Sequence, residues 1–145
     1  MTQDRITLDT SLGYLLKEAA SALRSAMEEV LRPLGMTITH YSCLELLAQR
    51  PGLSNSDLAR GAFVTRQSMN VLLQTLEAEG IVERAETAPV GKALPTRLTA
   101  KGRRSLDVAS AAVRQVERRM LSGMTDAEQT AALRALRSMV HALRT

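Results

Sequence analysis

Aromatic side chains are scarce in this chain: there is no tryptophan, one phenylalanine and two tyrosines among 145 residues. Proteins that hold single-stranded nucleic acid stack its bases on aromatic platforms, so that mode is poorly supplied here. Duplex DNA, gripped by helices and phosphate contacts, stays open. Cysteine occurs once, at Cys43, which excludes an internal disulfide and suits a reducing compartment. No apolar run approaches the roughly 20 residues needed to cross a bilayer. The start, Met1-Thr2-Gln3-Asp4-Arg5, lacks the basic-then-apolar order of a secretion signal. A cytoplasmic protein that does not engage the membrane is the expectation. Also missing are a phosphate-cradling glycine pattern, a nucleophile elbow and a histidine pair spaced for a metal, since His40 and His141 stand far apart. The chain reads as a non-enzyme, with no metal and no cofactor.

What is present is an ordinary globular balance, 45% hydrophobic, with a net charge of +4 and a pI near 9.8. Such a balance admits an anionic partner without requiring one; where the charge sits says more. Between Ile81 and Arg104 stand Arg84, Lys92, Arg97, Lys101, Arg103 and Arg104 against Glu83 and Glu86. That window alone holds an excess equal to the whole chain's. It is either a solvated basic face or a surface for phosphates.

Apolar residues recur at three- and four-residue steps from about Ser11 to Arg32 (Leu12, Leu15, Leu16, Ala19, Leu23, Met27, Val30, Leu31), which predicts a helix with one apolar face, stopped by Pro33 and Gly35. At about 33 Å it is longer than a small domain needs for its own core. Three shorter helices follow. Thr37 caps one that carries Tyr41, Leu44, Leu46 and Leu47 and stops at Pro51-Gly52. Ser54 with Asp57 resembles a capping box and opens a second, to about Gly61. Thr65 caps a third, Arg66 to Glu79, ended by Gly80. Its buried stripe should be Met69, Leu72, Leu73 and Leu76, which leaves Arg66, Gln67, Asn70 and Gln74 on the other face. After Gly80 the period shortens: Ile81 to Arg84 and Leu94 to Leu98 read as strands of a hairpin around an exposed loop with Pro89 and Gly91, although Pro95 falls inside the second strand. Thr99 then caps a helix to about Leu121 with Leu106, Ala109, Val113, Val116 and Met120 in step. Gly123 breaks it, and Thr125 with Glu128 forms a capping box for a last helix bearing Leu133, Leu136, Val140 and Leu143.

Two short helices joined by a tight turn at Gly61 to Val64 describe a helix-turn-helix, whose second helix enters the major groove and touches base edges with its first turns. Thr65, Arg66, Gln67, Ser68 and Asn70 stand there. Arg grips guanine by two hydrogen bonds, and Gln or Asn does the same for adenine. Water alone could also satisfy such a polar face. The adjacent hairpin adds Arg84, Lys92 and Arg97, cations that suit a neighbouring minor groove.

With these residues in order, the chain resembles the MarR family of bacterial transcription factors. The resemblance is carried by "GLSNSDLARGAFVTRQSMNVLLQTLEAEGIVER" followed by "LTAKGRRSL", and it extends through the flanking helices. It implies a mainly α fold with a small β-hairpin, a winged helix-turn-helix between long terminal helices: 1–36 for dimerisation, 37–99 for DNA with a wing at about 81–98, and 100–145 for dimerisation again. It implies a homodimeric, sequence-specific regulator of duplex DNA, a repressor on a pseudo-palindromic operator, released by a small aromatic or phenolic effector. Ser54, Ser56, Thr65, Arg66, Gln67, Ser68, Asn70, Gln74, Arg84, Lys92 and Arg97 would meet the DNA. Leu12, Leu16, Val113, Val116, Leu133, Leu136, Val140 and Leu143 would join two copies; an intramolecular bundle is the competing use of the same seams. Tyr14, His40, Tyr41 and Ala109 would border an effector, or simply pack.

One departure concerns the wing tip. The family commonly has Asp-x-Arg there, and this chain has Val90-Gly91-Lys92. Lys92 supplies a point charge without the planar fork of Arg, and the orienting Asp is gone. Phosphate rather than base contact is expected of it. The same loss is the one feature favouring a winged-helix protein-interaction module that no longer binds DNA. A small-molecule carrier using the dimer-interface pocket is a further alternative. Cys43 is not where cysteine-sensing relatives place theirs, near the start of the first helix, and reads as a small buried hydrophobe.

Overall fold

A computed structural model describes residues 4–84 and 95–145 of the chain. Among the described residues, six α-helices and one two-stranded sheet make up a winged helix-turn-helix between two long terminal arms. After a short 3-10 turn at Leu8–Thr10, α1 runs Leu12–Leu31, α2 Ile38–Gln49, α3 Asn55–Gly61, α4 Arg66–Ala78, β1 Val82–Arg84, β2 Thr96–Leu98, α5 Ala100–Met120 and α6 Asp126–Arg144.

The caps set these boundaries. Ser11, Thr37, Ser54, Thr65, Thr99 and Thr125 each turn a side-chain oxygen onto a backbone N–H three residues on, at the start of all six helices. Ser54–Asp57 and Thr125–Glu128 are complete capping boxes, with the acid also accepting the cap residue's own N–H. At the far end of α4, Gly80 takes φ +76° and Ile81 N–H returns to the Leu76 carbonyl at 2.9 Å.

The core lies where α2, α3, α4 and the sheet meet the N-terminal half of α5. Leu44, Leu58, Met69, Leu73, Leu76 and Val82 are sealed from solvent, with Leu31 closing one end and Leu106 and Ala109 the other. Leu72 of the expected α4 stripe is half-buried at its edge. Val82 pairs with Leu98, Glu83 with Arg97 and Arg84 with Thr96, antiparallel. The second strand, expected from Leu94, pairs from Thr96, and Leu94 lies outside the described residues: Pro95 precedes the ladder rather than interrupting it, so no paired N–H is lost.

Gly102 fixes how α5 leaves the wing. A Cβ built on it would stand 2.2 Å from the Ile81 carbonyl oxygen, so the helix backbone lies directly on the chain that enters β1. Thr99 reinforces the junction, its hydroxyl 2.6 Å from the Gly80 carbonyl, and Lys101 Nζ donates to the Glu79 carbonyl at 2.9 Å. The end of α4, the root of the wing and the start of α5 are therefore joined by close backbone contact and hydrogen bonds.

The arms are different. α1 packs chiefly on α5, and α6 packs only sparsely on the rest of the chain and holds no buried residue. Among the described residues, no helix is long and apolar enough to cross a membrane.

Candidate nucleic-acid interface

α4 shows one face to the core and another to solvent. Met69, Leu73 and Leu76 point inward, while Arg66, Gln67, Ser68 and Gln74 are exposed. Thr65 holds the helix start, accepting the Ser68 N–H at 3.0 Å and donating its hydroxyl proton to Ser68 Oγ at 3.0 Å. Both hydroxyls are thus engaged locally, next to backbone N–H groups of a first turn that carries no acid. Anions are favoured at such a terminus. Asn70 is half-buried, and its Oδ1 accepts from Asn55 Nδ2 at 3.2 Å.

On α3, Ser54 is committed to its capping box, with Oγ accepting the Asp57 N–H at 3.2 Å and Asp57 Oδ2 accepting the Ser54 N–H at 3.3 Å. Ser56 is half-buried. The Ser54 hydrogen bonds, and then the Arg60 guanidinium paired with it, hold the Asp57 carboxyl below the usual carboxylate range. Between α3 and α4 the chain turns through Phe63, which has φ +60° and is 82% exposed. A bulky residue in the left-handed region is strained, and the described residues leave most of this ring uncovered. Its neighbours are two clefts, one bounded by α1 and the start of α2, the other by α3 and Arg144 at the end of α6.

In the wing, Arg97 Nε donates to Glu83 Oε1 at 2.7 Å across the strand pair, so the two exposed side chains partly neutralise each other. Arg84 is half-buried, with Nε and Nη2 enclosed and unpartnered among the described residues. Lys92 lies outside the described residues. Arg103 and Arg104 extend the cationic surface along the first turns of α5.

These features define a winged helix-turn-helix that leaves Arg66, Gln67 and Gln74 exposed while Asn70 is tied to α3. The HTH-type transcriptional repressor Rv2887 of Mycobacterium tuberculosis is 43% identical over 121 residues, 83% of this chain and 87% of the relative. A sequence model of the MarR family matches residues 34–93, the helix-turn-helix and the start of the wing. The chain belongs to the MarR family. Two crystal structures of the mycobacterial family member share its fold. The one in complex with DNA has a TM-score of 0.72 at 40% identity, covering 90% of this chain and 98% of that one. The one in complex with salicylic acid has a TM-score of 0.74 at 41% identity, covering 90% and 97%.

The remaining expected residues of this MarR-family chain fall in separate places. Tyr41 and Ala109 are buried in the core, His40 is half-buried with Nε2 enclosed and unpartnered among the described residues, and Tyr14 is 44% exposed on α1. Among the described residues, the cleft that Tyr14 faces runs along α1 with Lys17 and Ser21 and is lined by none of the other three. Tyr41 instead donates to Glu45, which also accepts from Ser110 at 3.0 Å and Gln49 at 3.0 Å, tying α2 to α5. Burial, and then the neighbouring Glu45, push the Tyr41 phenol well above its ordinary value. A cleft of about 250 Å³ between α1 and α5 is lined by Ala19, Ala22, Leu23, Ala26, Val116, Arg119 and Met120. Of the expected pairing residues, Val116 is buried against its own chain and Val113 is half-buried, whereas Leu12, Leu16, Leu133, Leu136, Val140 and Leu143 are exposed. Cys43 is sealed in the core, and burial pushes its thiol up to about 12, which disfavours the thiolate.

Two residues were missed by sequence reasoning. Asn55 stands 15 positions from Asn70, and no local signal links them. Arg60 does carry a signal, three residues after Asp57 on one helix face.

Proposed function

We propose that this protein is a homodimeric repressor that grips duplex DNA with α4 of each copy and releases it when a small aromatic acid binds. One observation carries the reading: Arg66, Gln67 and Gln74 form an exposed face with no side-chain hydrogen bond or ion pair among the described residues, in a chain 43% identical to a repressor that was crystallised with DNA. Arg66 and Gln67, in the first turn, reach base edges. The N-terminus of α4, with Thr65 and Ser68, binds phosphate. Arg84, Arg97 and Lys92 secure the wing by charge, and Ser54 and Ser56 hold α3 near the backbone.

Residues 1–36 and 100–145 join the copies and 37–99 read the DNA. α6 supports this division, because a helix with Leu133, Leu136, Val140 and Leu143 exposed gains most of its stability from a partner. The relative's complexes with salicylic acid and p-aminosalicylic acid support a carboxylated aromatic effector. Tyr14, His40, Tyr41 and Ala109 would respond to it near the junction of arm and reading lobe.

Selection of bound sequences from a random duplex pool tests the reading. A pseudo-palindrome with half-sites about 34 Å apart is expected. Affinity for it should fall steeply as salt rises, because bound phosphates release counterions, and salicylate should lower it further. Failure to enrich any duplex, or affinity indifferent to salt, would overturn the proposal.

A further inference from the structure

We infer that Asn55 sets which base edge Asn70 reads. This rests on the DNA-binding reading above and refines it at one position. Asn70 is the fifth residue of α4, one turn beyond Arg66 and one turn before Gln74, on the border between the exposed face and the packed one. Asn55 is the first residue of α3, and the helix-turn-helix brings the two side chains together, with Asn55 Nδ2 donating to Asn70 Oδ1 at 3.2 Å.

An asparagine with both ends of its amide free grips adenine by giving one hydrogen bond and taking another. Here Asn55 holds the Asn70 carbonyl oxygen toward α3, taking one of its two lone pairs. The NH2 group is then the end turned to the groove, and a donor in that place matches N7 and O6 of guanine or O4 of thymine. Cytosine presents an amino group at that edge and is disfavoured; adenine loses half of its usual grip. Arg66, one turn away, is also a pure donor, so this line along α4 suits a guanine- or thymine-bearing strand.

The pair could in principle turn over together, with Asn70 donating inward. The setting of Asn55 opposes this. Its Oδ1 is buried with no hydrogen-bond partner among the described residues, and turning over would put an NH2 group in that place. A buried carbonyl short of a partner is tolerated more often than a buried N–H. Asn55 is therefore a positioning residue, acting on DNA through Asn70.

The test compares sequences selected from a random duplex pool by the full chain and by Asn55→Asp, Asn55→Ala and Asn70→Ala. The position at which Asn70→Ala flattens the preference is the one Asn70 reads. Wild type should favour guanine or thymine there. Asn55→Asp is isosteric, and an acid at a helix start is favourable, so it should fold. It can only accept, which turns the Asn70 carbonyl outward and shifts the choice to cytosine or adenine. Asn55→Ala frees both ends of Asn70 and should raise adenine at that position roughly tenfold. Thermal melts identify any variant that unfolds, and if Asn55→Asp does, the Asn55→Ala result decides. A wild type that already selects adenine there, or folded Asn55 variants with its unchanged choice, would overturn the inference while leaving DNA binding intact. If wild type enriches nothing, the DNA-binding reading itself has failed.

Discussion

Replacing Gly102 by alanine should destabilise the protein by about 2 kcal/mol, although alanine is the better helix former. In isolation the exchange inside α5 would gain about 1 kcal/mol. Against it stands the Ile81 carbonyl oxygen, 2.2 Å from where the new Cβ would lie, with the Ile81 carbonyl carbon at 3.2 Å. These are backbone atoms, and they cannot swing aside as a side-chain tip can. The helix must lift by roughly an ångström, an overpacking cost on the order of 1–3 kcal/mol. Lifting it also strains the bond from Thr99 N–H to the Ile81 carbonyl, now 3.1 Å, and those from Thr99 Oγ1 and Lys101 Nζ to the end of α4. Each such bond contributes about 1 kcal/mol. Gly123 provides the internal control: its Cβ would meet nothing within 4 Å and its φ lies outside the left-handed region, so Gly123→Ala should gain about 0.5 kcal/mol. Urea melts followed by circular dichroism, at equal protomer concentration, give both numbers. A Gly102→Ala protein as stable as wild type would refute the close approach on which the coupling of α4, wing and α5 rests.

Three other outcomes are expected. Phe63→Asn should stabilise the fold by about 1 kcal/mol, because asparagine tolerates the left-handed backbone and the lost ring is already in solvent; unchanged or lower urea midpoints would count against strain at that turn. Leu136→Glu with Val140→Glu should leave a solvated helix almost unaffected but separate a dimer that buries this face, so sedimentation should show protomers in place of pairs. Burial holds His40 below its ordinary value of 6.5 against the opposing pull of Glu79, so the unfolded chain binds the additional proton. Its contribution to stability is present above pH 6.5 and is lost as pH falls through the lower folded value; His40→Gln should flatten that part of a stability-against-pH curve, and an unchanged slope would assign the effect to other groups.

Much of this architecture could be read from local chemistry. Helix starts were legible because hydroxyl caps act within three residues: Thr37, Ser54, Thr65, Thr99 and Thr125 all stand where the sequence places them. The inward face of α4 was legible because Met69, Leu73 and Leu76 keep helical period. Contacts between elements were not. The Asn55–Asn70 bond depends on how two helices cross, and Phe63 at φ +60° carries no glycine or asparagine to announce a left-handed turn. Tyr41 and Ala109 turn toward the core while Tyr14 faces outward, a difference set by packing of α1, α2 and α5 that no single helix reveals. Pro95 raised a doubt about the second strand that vanished once the ladder was seen to start at Thr96.

The account turns on the outward face of α4, and fluorescence anisotropy with the selected duplex and a shuffled one of equal length tests it most directly. The Arg66→Ala, Gln67→Ala double variant should keep the salt-dependent affinity for the shuffled duplex and lose most of its preference for the selected one, a drop of roughly tenfold or more. A double variant that discriminates between the two duplexes as well as wild type does would contradict it.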